Sequence, residues 1–485
     1  MNTQIIKDKI KNDYILNNLA SFFNNEIYLV GGSVRDILQG KELSDRDLIV
    51  TDEDAKVFAQ KTAQMFDGVL VSLDEENKIY RVVLKDKANY LDISELRGDD
   101  IKTDLYFRDF TINAIAYDLE NEKFIDVTGG IDDIQHKRLR LIKETNFVED
   151  PIRILRAYRF MATTGFKPDK KLEEILIKHK NLLKQPAKER IHDEIMKLFG
   201  GKDTSKTLLK MLDNEILELI FPCVKEIKKI PSNSHHHLDL IHHLIETVKL
   251  IEFQYENTSG EVLDHLNQTN FGGYPRINHL KIAGFLHDIG KPSTWTLEDN
   301  GQTIWTAQST IDYPKDKPYR HRFIKHDIEG EKLVKPLLKE LKFSNKQIEY
   351  ISNMIRYHIY PSNVISSPNI ENKVMMRYVR KMGNNVIDNI ILAKADRLAA
   401  QGPDVTKEMT NSNLNGLNKL LDFYLEIKQT LKPLPKLIDG NEIMEILNLK
   451  QSPKLGEIIN NLHEAQLSGE VNTKNEAILY IKKYK

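Results

Sequence analysis

Apolar and polar residues follow two different patterns along the chain. Over the first 140 residues, short strand-like runs such as IYLVGG, RDLIV, YRVVL and NYLDIS lie between helical stretches, which is typical of an α/β domain. From about residue 141 to about residue 430, segments such as RILRAYRFMATTGF carry apolar residues at helical spacing. The pattern predicts a multidomain α+β protein, with a small α/β head followed by an elongated, all-helical body.

Composition narrows the class of protein. The chain has 485 residues, of which 40% are apolar and 29% charged, values typical of a globular protein with room for about three or four domains. Its formal net charge of −1 neither supports nor excludes an anionic partner. The single cysteine, Cys223, rules out an internal disulfide framework and fits a reducing compartment. No apolar run approaches the length of a membrane helix, so we expect a cytoplasmic protein with no membrane partner.

Acidic residues stand at the mouth of a predicted strand in the stretch SDRDLIV. Side chains two apart on a strand share a face, so Asp45 and Asp47 are expected to project together. A third carboxylate, Asp92 in NYLDISEL, alternates with apolar neighbours and faces away from them. Close carboxylates repel each other unless a cation lies between them, and hard oxygen ligands suit Mg²⁺ that carries substrate phosphates. The three residues predict a catalytic metal site for phosphoryl chemistry.

A glycine pair precedes this strand. Gly31 and Gly32 follow the run IYLV and open a predicted helix, which lets backbone N–H groups approach a phosphate. Arg35, one helical turn later, adds a positive charge. The combination predicts a nucleoside triphosphate as ligand. A glycine pair or an Asp-x-Asp alone is common in turns and loops, so the interpretation depends on the order and spacing of the two together.

Longer motifs around these residues match a known family. The stretch LVGGSVRDILQG followed by SDRDLIV resembles the head signature of the tRNA nucleotidyltransferase and bacterial poly(A) polymerase family, the class II enzymes of the polymerase β superfamily. RDFTINAIAYD, residues 108–118, is similar to the second motif of that family, and EDPIRILRAYRF, residues 149–160, to its nucleotide-selecting helix. The resemblance continues into PAKERIHDEIMKLFGG and so covers residues 27 to about 201. It implies a polymerase β-like head that extends RNA without a nucleic-acid template.

The resemblance implies a role for each matching residue. Asp45 and Asp47 would be catalytic and hold Mg²⁺, and Asp92, found from the strand pattern, is the third expected catalytic acid. Asp150 and Arg153 would present hydrogen-bonding groups to the base of the incoming nucleotide. The spacing of Asp150 and Arg153 independently places them close together on a predicted helix. The other residues implied in nucleotide binding would contact its triphosphate, its ribose or further phosphates: Gly31, Gly32, Arg35, Arg108, Asp109, Asn113, Arg156 and Arg159.

Two departures from the family pattern leave the added nucleotide open. Phe107 stands where the family commonly has a basic residue just before the Arg-Asp of the second motif. The segment between Asp92 and Arg108 is short, whereas full CCA-adding relatives carry a longer flexible loop there. Loss of that loop resembles the C-C-adding and A-adding members. CTP, ATP or both are therefore the expected substrates.

A second group of acidic and histidine residues lies in the helical region. The segments HHHLDLIHHLIETV, FLHDIGKPSTW, RFIKHDIEGEKL, MIRYHIYPS and ILAKADRLAAQG resemble, in order, the metal-dependent phosphohydrolases named for their His-Asp (HD) pair. Imidazole with carboxylate suits a divalent transition metal or Mg²⁺, and open positions would admit a nucleophilic water. We interpret His235, His236 and His242 as solvent-exposed structural residues. The resemblance implies two metal ions and a lysine for the substrate phosphate, with ligands His243, His287, Asp288 and Asp396 for the first, His326 and His358 for the second, and Lys291 as the lysine.

The C-terminal segment resembles the tRNA-facing end of the same enzymes. Ser452 and Gly456, at a predicted helix start, would offer backbone N–H groups to a phosphate of the tRNA, although a capped helical hairpin produces the same pattern. The predicted division of the chain is a head, a neck with the nucleotide-selecting helices, an HD domain and a tail, over residues 1–140, 141–205, 206–405 and 406–485.

The leading hypothesis is an enzyme that adds C, A or both to the 3′ end of tRNA. It would use CTP and ATP with Mg²⁺ in the head, release pyrophosphate, and carry a phosphodiesterase or phosphatase activity in its HD domain. A poly(A) polymerase uses the same chemistry and is the first alternative. The second, of another class, is an HD phosphohydrolase whose head only binds nucleotide or RNA, and the presence of Asp45 and Asp47 weighs against it.

Overall fold

The computed structural model describes residues 3–23, 26–43, 45–51, 53–86, 89–315, 318–366, 371–429 and 435–484. The chain divides into two units, Met1–Pro222 and Cys223–Lys485. The first contains a mixed sheet and the second is mainly helical, which confirms the predicted fold class. None of the helices in the described part of the chain combines the length and the apolar character that a bilayer-spanning helix needs.

The first unit mixes helices and strands over its first 140 residues and is mainly helical thereafter. Its strands are β1 (Ile27–Val30), β2 (Asp45–Val50), β3 (Val69–Asp74), β4 (Ile79–Val83), β5 (Tyr90–Glu95), β6 (Ile115–Asp118), β7 (Lys123–Asp126), β8 (Arg138–Leu139) and β9 (Lys167–Pro168). Its α-helices are α1 (Thr3–Lys11), α2 (Tyr14–Phe22), α3 (Gly32–Leu38), α4 (Ala55–Met65), α5 (Ile101–Tyr106), α6 (Gly130–Gln135), α7 (Thr145–Glu149), α8 (Ile152–Thr164), α9 (Lys170–His179), α10 (Lys188–Phe199), α11 (Thr204–Asp213) and α12 (Leu217–Ile220).

Strands β1 to β7 form one sheet in the order β3–β4–β5–β2–β1–β6–β7. Strands β2 and β5 run parallel, and the other neighbours are antiparallel. The apolar strand β1 is buried at every position, as its central place in the sheet requires. On one face, Tyr28 and Val30 pack with Ile101 and Leu105 of helix α5. The antiparallel pairing of β1 with β2 places the acidic start of β2 beside the glycine turn that follows β1.

The helix that carries Arg153 begins later than the sequence pattern suggests. Helix α7 ends at Glu149, and α8 begins only at Ile152. Asp150 lies between them in a non-helical conformation, with φ −136° and ψ 87°. Pro151 explains the break, because proline lacks an N–H and disfavours the helical conformation in the residue before it. Asp150 and Arg153 remain close, since the Arg153 N–H donates to the Asp150 carbonyl at 3.1 Å.

The second unit is built around a buried helix. Helix α16 is buried at every position and packs against α14, α19 and α22. The α-helices of this unit are α13 (Val224–Ile227), α14 (Leu240–Glu256), α15 (Gly260–Leu266), α16 (Arg276–Leu286), α17 (Lys291–Thr294), α18 (His326–Glu340), α19 (Asn345–Tyr357), α20 (Tyr360–Ile365), α21 (Asn372–Met382), α22 (Val386–Ala399), α23 (Lys407–Ile427), α24 (Gly440–Leu447), α25 (Pro453–Ser468) and α26 (Lys474–Ile481).

The expectation of an all-helical body is wrong at the two-residue strand β9 and at one longer stretch of the second unit. Strands β10 (Trp295–Asp299), β11 (Gln302–Thr306) and β12 (Arg320–Phe323) form a three-stranded antiparallel sheet in the second unit. Asn300 and Gly301, between the first two strands, have φ of 46° and 80°. Two positive φ values are what a tight hairpin turn requires, and Asn-Gly is the dipeptide that adopts them most readily. The signal was therefore present in LEDNGQTIW.

The last helices enclose a small apolar core of their own. Ile443 and Leu447 of α24 pack with Ile458 and Leu462 of α25 and with Ile481 of α26. This core supports the predicted start of a helix near Ser452. It is also what a capped helical hairpin would contain, so the packing alone does not assign the segment a partner.

Candidate active site and metal centre

The three predicted carboxylates of the head lie on neighbouring strands. Asp47 on β2 and Asp92 on β5 are register partners in the parallel pair, and register partners point to the same face of a sheet. Asp45, two residues before Asp47, shares that face. Arg46 points the other way, is buried, and donates to both carboxylate oxygens of Asp13 at 3.2 and 2.6 Å. The structure thus brings together the acids that the sequence singled out.

Ser33 supports this site, and the sequence reading did not assign it a role. Its hydroxyl lies 2.8 Å from the carbonyl oxygen of Asp45 and 3.4 Å from Asp47 Oδ2. It also accepts a hydrogen bond from the Asp47 N–H at 2.9 Å. Ser33 is buried at the start of α3 and therefore ties the glycine turn to the acidic strand. Its place directly after Gly31-Gly32 was the available signal.

The chemistry of the three acids fits a divalent cation. Burial, then the nearby charge of Asp92, raises the pKa of Asp47 to about 6, although Arg108 opposes the shift. A carboxylate whose ionisation is disfavoured by a like charge gains from a cation placed between the two. Hard carboxylate oxygens are the ligands that Mg²⁺ prefers. Asp92 is already paired within the sheet, because Arg81 donates to both of its oxygens at 2.7 and 2.8 Å.

The glycine pair lies against these acids. Gly31 has φ 68°, and a Cβ at this position would lie 2.9 Å from Arg108 Nη1 and 3.4 Å from Asp47 Oδ2. A side chain is therefore excluded twice, by the backbone conformation and by the space. A Cβ on Gly32 would approach Arg35 Nη2 at 3.5 Å. The backbone of this turn is thus open to the same cavity as the acids and the two arginines.

Polar residues of the second motif form a connected network. Asp109 is buried and accepts from Arg156 Nε at 2.9 Å, from Asn113 Nδ2 at 2.8 Å and from the Phe110 N–H at 2.8 Å. Burial alone would raise the pKa of Asp109, but Arg156 and these hydrogen bonds lower it to about 2. Asn113 in turn accepts from Arg35 Nη1 at 2.6 Å. Hydrogen bonds therefore connect Arg35, Asn113, Asp109 and Arg156, which are all predicted to contact the nucleotide.

The two residues expected to read the base already have partners in the chain. Arg190 on α10 donates to both oxygens of Asp150, each at 2.9 Å. Arg153 Nη2 donates to the Phe107 carbonyl at 2.9 Å, which gives Phe107 a backbone role although its side chain is 42% exposed. Arg190 was not assigned a role from the sequence. A base that hydrogen-bonds to Asp150 or Arg153 would have to share or replace these contacts.

One cavity of about 530 Å³ collects these groups. Arg159, the last predicted phosphate contact, lines it with its Cζ 4.1 Å from the centroid of the Phe160 ring and its Nε 3.0 Å from Glu194 Oε2. Burial lowers the pKa of Arg159 to about 10, and Glu194 opposes the shift. Asp45 is the predicted head residue that does not line the cavity. Those that do are Gly31, Gly32, Arg35, Asp47, Asp92, Arg108, Asp109, Asn113, Asp150, Arg153, Arg156 and Arg159.

The second unit brings the predicted histidines and aspartates into a separate cluster. His243 Nε2 lies 3.1 Å from Asp396 Oδ1 and 3.4 Å from His287 Nε2, and His287 Nε2 lies 3.3 Å from Asp288 Oδ2. The other oxygen of Asp288 lies 3.2 Å from His326 Nε2 and 3.6 Å from His358 Nε2. Asp288 therefore joins two groups of ligand atoms, as a pair of neighbouring metal ions would require. The first group contains His243, His287 and Asp288, with Asp396 in contact with both histidines, and the second contains Asp288, His326 and His358.

The surroundings orient the ring nitrogens for metal binding. The Nδ1 atoms of His287, His326 and His358 lie 2.9, 2.7 and 2.7 Å from backbone carbonyls. A protonated Nδ1 that donates to a carbonyl leaves Nε2 as a free lone pair, and these three Nε2 atoms face Asp288. Within the described residues, neither oxygen of the buried Asp288 has a well-directed hydrogen bond. The cluster therefore fits divalent ions held by imidazole and carboxylate.

Two further residues contact this cluster, and the first of them corrects an expectation. His236 is not a solvent-exposed structural residue: its ring centroid lies 4.8 Å from that of His243, and one of its nitrogens groups with His243 and Asp396 as possible ligand atoms. Burial lowers the pKa of His236 to about 2, so its ring is neutral. Lys291, expected to contact a substrate phosphate, has its Nζ 2.5 Å from Asp288 Oδ2. It neutralises part of the charge of this aspartate.

The predicted tRNA contacts in the tail lie at a helix start. Ser452 immediately precedes α25, in extended conformation and without a side-chain hydrogen bond to the helix in the described residues. A Cβ on Gly456 would meet no atom within 4 Å. The backbone here is accessible, and the tRNA contact stays a prediction.

Comparison with known domain families agrees with this geometry. Residues 27–140 match the Poly A polymerase head domain, residues 165–228 the family described as "Probable RNA and SrmB- binding site of polymerase A", and residues 240–401 the HD domain. A model for tRNA nucleotidyltransferase domain 2 matches residues 325–481. The chain therefore carries a Poly A polymerase head domain and an HD domain, and the order of its domains is similar to that of the tRNA nucleotidyltransferase and poly(A) polymerase family.

Individual relatives match almost the whole chain. The A-adding tRNA nucleotidyltransferase of Deinococcus radiodurans is 29% identical over 463 residues, which cover 94% of this chain and 95% of that protein. The CC-adding tRNA nucleotidyltransferase of Thermus thermophilus is 25% identical, with 94% and 93% covered. Among solved structures, a CCA-adding enzyme in complex with CTP has a TM-score of 0.56 at 21% identity and covers 100% of this chain and 98% of its own. The Thermotoga maritima CCA-adding enzyme complexed with tRNA has a TM-score of 0.51 at 21% identity, with 99% and 95% covered, and both structures support the fold.

Proposed function

We propose that this protein is a template-independent nucleotidyltransferase that adds C, A or both to the 3′ end of tRNA, from CTP and ATP with Mg²⁺. The observation that supports it is the head cavity described above, in which carboxylates suited to a metal ion, an open glycine turn and base-facing polar groups meet. The full-length relatives that add A or CC to tRNA point to the same activity.

The residues of the head divide the work of the reaction among them. When Mg²⁺ is bound at Asp45 and Asp47, it would lower the pKa of the RNA 3′-hydroxyl and neutralise charge on the departing pyrophosphate. The Gly31-Gly32 turn offers backbone N–H groups to the triphosphate. Arg35 and Arg108 supply positive charge beside it. Because the cavity walls hold these groups in place before the substrate arrives, little reorganisation is needed during the reaction.

Base selection would depend on Asp150 and Arg153. Asp150 accepts hydrogen bonds and Arg153 donates them, so together they can complement one edge of a base. Arg190 and the Phe107 carbonyl hold these two side chains in the structure. Nucleotide choice therefore depends on how these contacts are shared when a base enters, and CTP and ATP both remain candidate substrates.

Extension of defined tRNA transcripts tests the proposal. Transcripts that lack the CCA end, that end in CC and that end in CCA are incubated with CTP, ATP or both in Mg²⁺, and the products and pyrophosphate are measured. We expect C, A or both to be added to at least one of the first two transcripts and nothing to the third. The matched control is Asp45→Ala/Asp47→Ala, which should release no pyrophosphate. Extension by this variant would refute the site, and long A tails on any RNA would indicate a poly(A) polymerase.

The metal cluster of the second unit supports a second activity. We propose that it hydrolyses phosphodiesters or phosphomonoesters, because Asp288 is shared between two groups of histidine ligands. A bound divalent ion would supply an activated water at neutral pH. The ring orientations set by the backbone carbonyls and the charge of Lys291 would position the ion and the substrate phosphate.

Hydrolysis of bis(p-nitrophenyl) phosphate and of 2′,3′-cyclic AMP tests this activity. The protein is assayed with Ni²⁺, Co²⁺, Mn²⁺ and Mg²⁺ in turn, beside the variant Asp288→Asn. We expect hydrolysis with at least one ion and none in the variant, while tRNA extension by the variant continues. Equal hydrolysis by both proteins would exclude the cluster as its source.

The domain division and the tail complete the proposal. We assign nucleotide addition to residues 1–205, hydrolysis to 206–405 and a tRNA contact to 406–485, with Ser452 and Gly456 at the phosphate. Gly456→Asp would place a carboxylate at this helix start, and we expect it to raise KM for tRNA with little change in KM for the nucleotide. An unchanged KM for tRNA would remove the tail contact. We propose that these activities take place in the cytoplasm.

A further inference from the structure

Arg81 on β4 holds one of the three carboxylates of the head cavity. Its Nε and Nη2 donate to Asp92 Oδ1 and Oδ2 at 2.7 and 2.8 Å. The two residues are register partners in the antiparallel pair of β4 and β5, so the backbone pairing itself sets their side chains opposite each other. A two-point bond between guanidinium and carboxylate is the strongest form of such an ion pair.

The guanidinium is also fixed from a second side. Arg81 Cζ lies 4.0 Å from the centroid of the Tyr90 ring, close enough for a cation–π contact. Tyr90 is the register partner of Asp45 across the parallel pair of β2 and β5. Arg81 therefore contacts both Asp92 and Tyr90, the strand partner of Asp45. Its side chain is only 33% exposed.

Arg81 and a divalent cation would compete for the same carboxylate, Asp92. Each carboxylate oxygen has two lone pairs, and the guanidinium uses one on each oxygen. A divalent ion that approaches Asp92 would therefore meet a fixed positive charge at the same group. Asp45 and Asp47 lack such a two-point cation partner among the described contacts, and they remain the stronger anionic ligands.

We propose that Arg81 is a positioning residue that competes with the divalent cation for Asp92 and so sets the metal affinity of the head. Its importance for catalysis rests on the proposed nucleotide addition, but metal binding can be measured without it. With Arg81 in place, part of the negative charge of Asp92 is balanced by the guanidinium. Without Arg81, the ion would meet a third uncompensated carboxylate, and additional carboxylate charge tightens the binding of hard cations.

Binding of Mn²⁺ to the full chain, followed by the electron paramagnetic resonance signal of the free ion, tests the proposal. Ions that still bind to Asp45→Ala/Asp47→Ala belong to other sites, including the HD cluster, and are subtracted. We expect Arg81→Gln to tighten binding at the head by about tenfold, the effect of removing one nearby charge. Arg81→Lys keeps the charge but loses the two-point bond, and we expect a two- to threefold tightening.

A double-mutant cycle separates this role from a general structural one. If Arg81 acts through Asp92, Arg81→Gln has no further effect on Mn²⁺ affinity in an Asp92→Asn background. Lys85→Gln is the matched control, because it removes a cation from an exposed ion pair of similar length, 2.8 Å to Asp67, and it should leave Mn²⁺ affinity unchanged. Thermal unfolding of each variant shows whether the head is folded. If Arg81→Gln does not fold, the Mn²⁺ affinity of Arg81→Lys tests the proposal instead.

Two results would overturn the inference. One is an affinity for Mn²⁺ that is unchanged or weaker in the folded Arg81 variants. The other is a tenfold tightening that persists when Asp92 is replaced. Because the titration contains neither RNA nor nucleotide, its outcome is independent of the proposed function. A protein that shows the predicted shift but never extends tRNA would refute nucleotide addition and leave the role of Arg81 in place.

Discussion

The raised pKa of Asp47 predicts how the stability of the metal-free protein depends on pH. In the folded head, burial and the charge of Asp92 bring the pKa to about 6, against an ordinary value of 3.8. Between these two pH values the folded protein binds a proton that the unfolded chain has already released. Stability therefore falls as pH rises from about 4 to about 6, and the full cost is present above pH 6.

The size of this cost follows from the two pKa values. A difference between 3.8 and about 6 corresponds to about 3 kcal/mol, at about 1.4 kcal/mol for each tenfold change in proton affinity. Asp47→Asn removes the charge and keeps the shape. We therefore expect the variant to be up to about 3 kcal/mol more stable than the wild type near pH 7.5 without divalent ions, and equally stable near pH 4.

Urea unfolding in chelator at several pH values measures this difference. Subtracting the variant from the wild type removes the contribution of all other titrating groups. Asp36→Asn is a control of opposite sign: burial favours the neutral form of Asp36, but Arg35 and Lys41 lower its pKa. This second variant should be less stable than the wild type at neutral pH and lose that deficit in acid.

Addition of Mg²⁺ at neutral pH should then stabilise the wild type more than Asp47→Asn, because only the wild type has the complete head site. A gain in stability for Asp47→Asn that is the same at pH 4 and pH 7.5 would refute the electrostatic reasoning. So would a loss of stability at neutral pH, because it would mean that ionised Asp47 is favourably paired in the metal-free protein.

Three further predictions concern single contacts. Gly31→Ala would combine left-handed backbone strain with a Cβ 2.9 Å from Arg108 Nη1, and we expect a loss of at least about 100-fold in kcat/KM for nucleotide, whereas Gly40→Ala, with φ 83° and open space around it, should cost only about 1 kcal/mol of stability. Arg190→Ala would free both base-facing carboxylate oxygens and change the CTP to ATP ratio of kcat/KM by about tenfold, with little effect on stability because the pair is half-exposed. His326→Ala should reduce the metal content of the HD cluster from two ions to one, measured by mass spectrometry after reconstitution.

Each of these has a contrary result that would count against the structure. Equal kcat/KM losses in the two glycine variants would show that the close approach at Gly31 is unimportant. An unchanged nucleotide ratio in Arg190→Ala would separate this arginine from base selection. A variant of His326 that still holds two ions would place the second ion elsewhere.

Much of the local structure of this protein can be predicted from its sequence, because turns, strands and helices depend mainly on neighbouring residues. Alternation with a period of two placed Asp45 and Asp47 on one face of a strand, and the apolar run before Gly31 marked another strand. The Asn300-Gly301 turn was equally readable, since positive φ at both positions favours these residue types. Helical spacing was less reliable at Asp150, where Pro151 interrupts the helix.

What the tertiary structure decided are the contacts between residues distant along the chain. The register of β2 with β5 places Asp92 beside Asp47, and the register of β4 with β5 places it opposite Arg81. Neither register can be inferred from the sequence of one strand alone. The pair of Arg190 with Asp150 depends on how α10 packs against α8. The position of His236 beside His243 and Asp396 likewise depends on tertiary packing. A residue type and its spacing define which chemistry a side chain can perform, whereas strand register and helix packing determine which partner it meets.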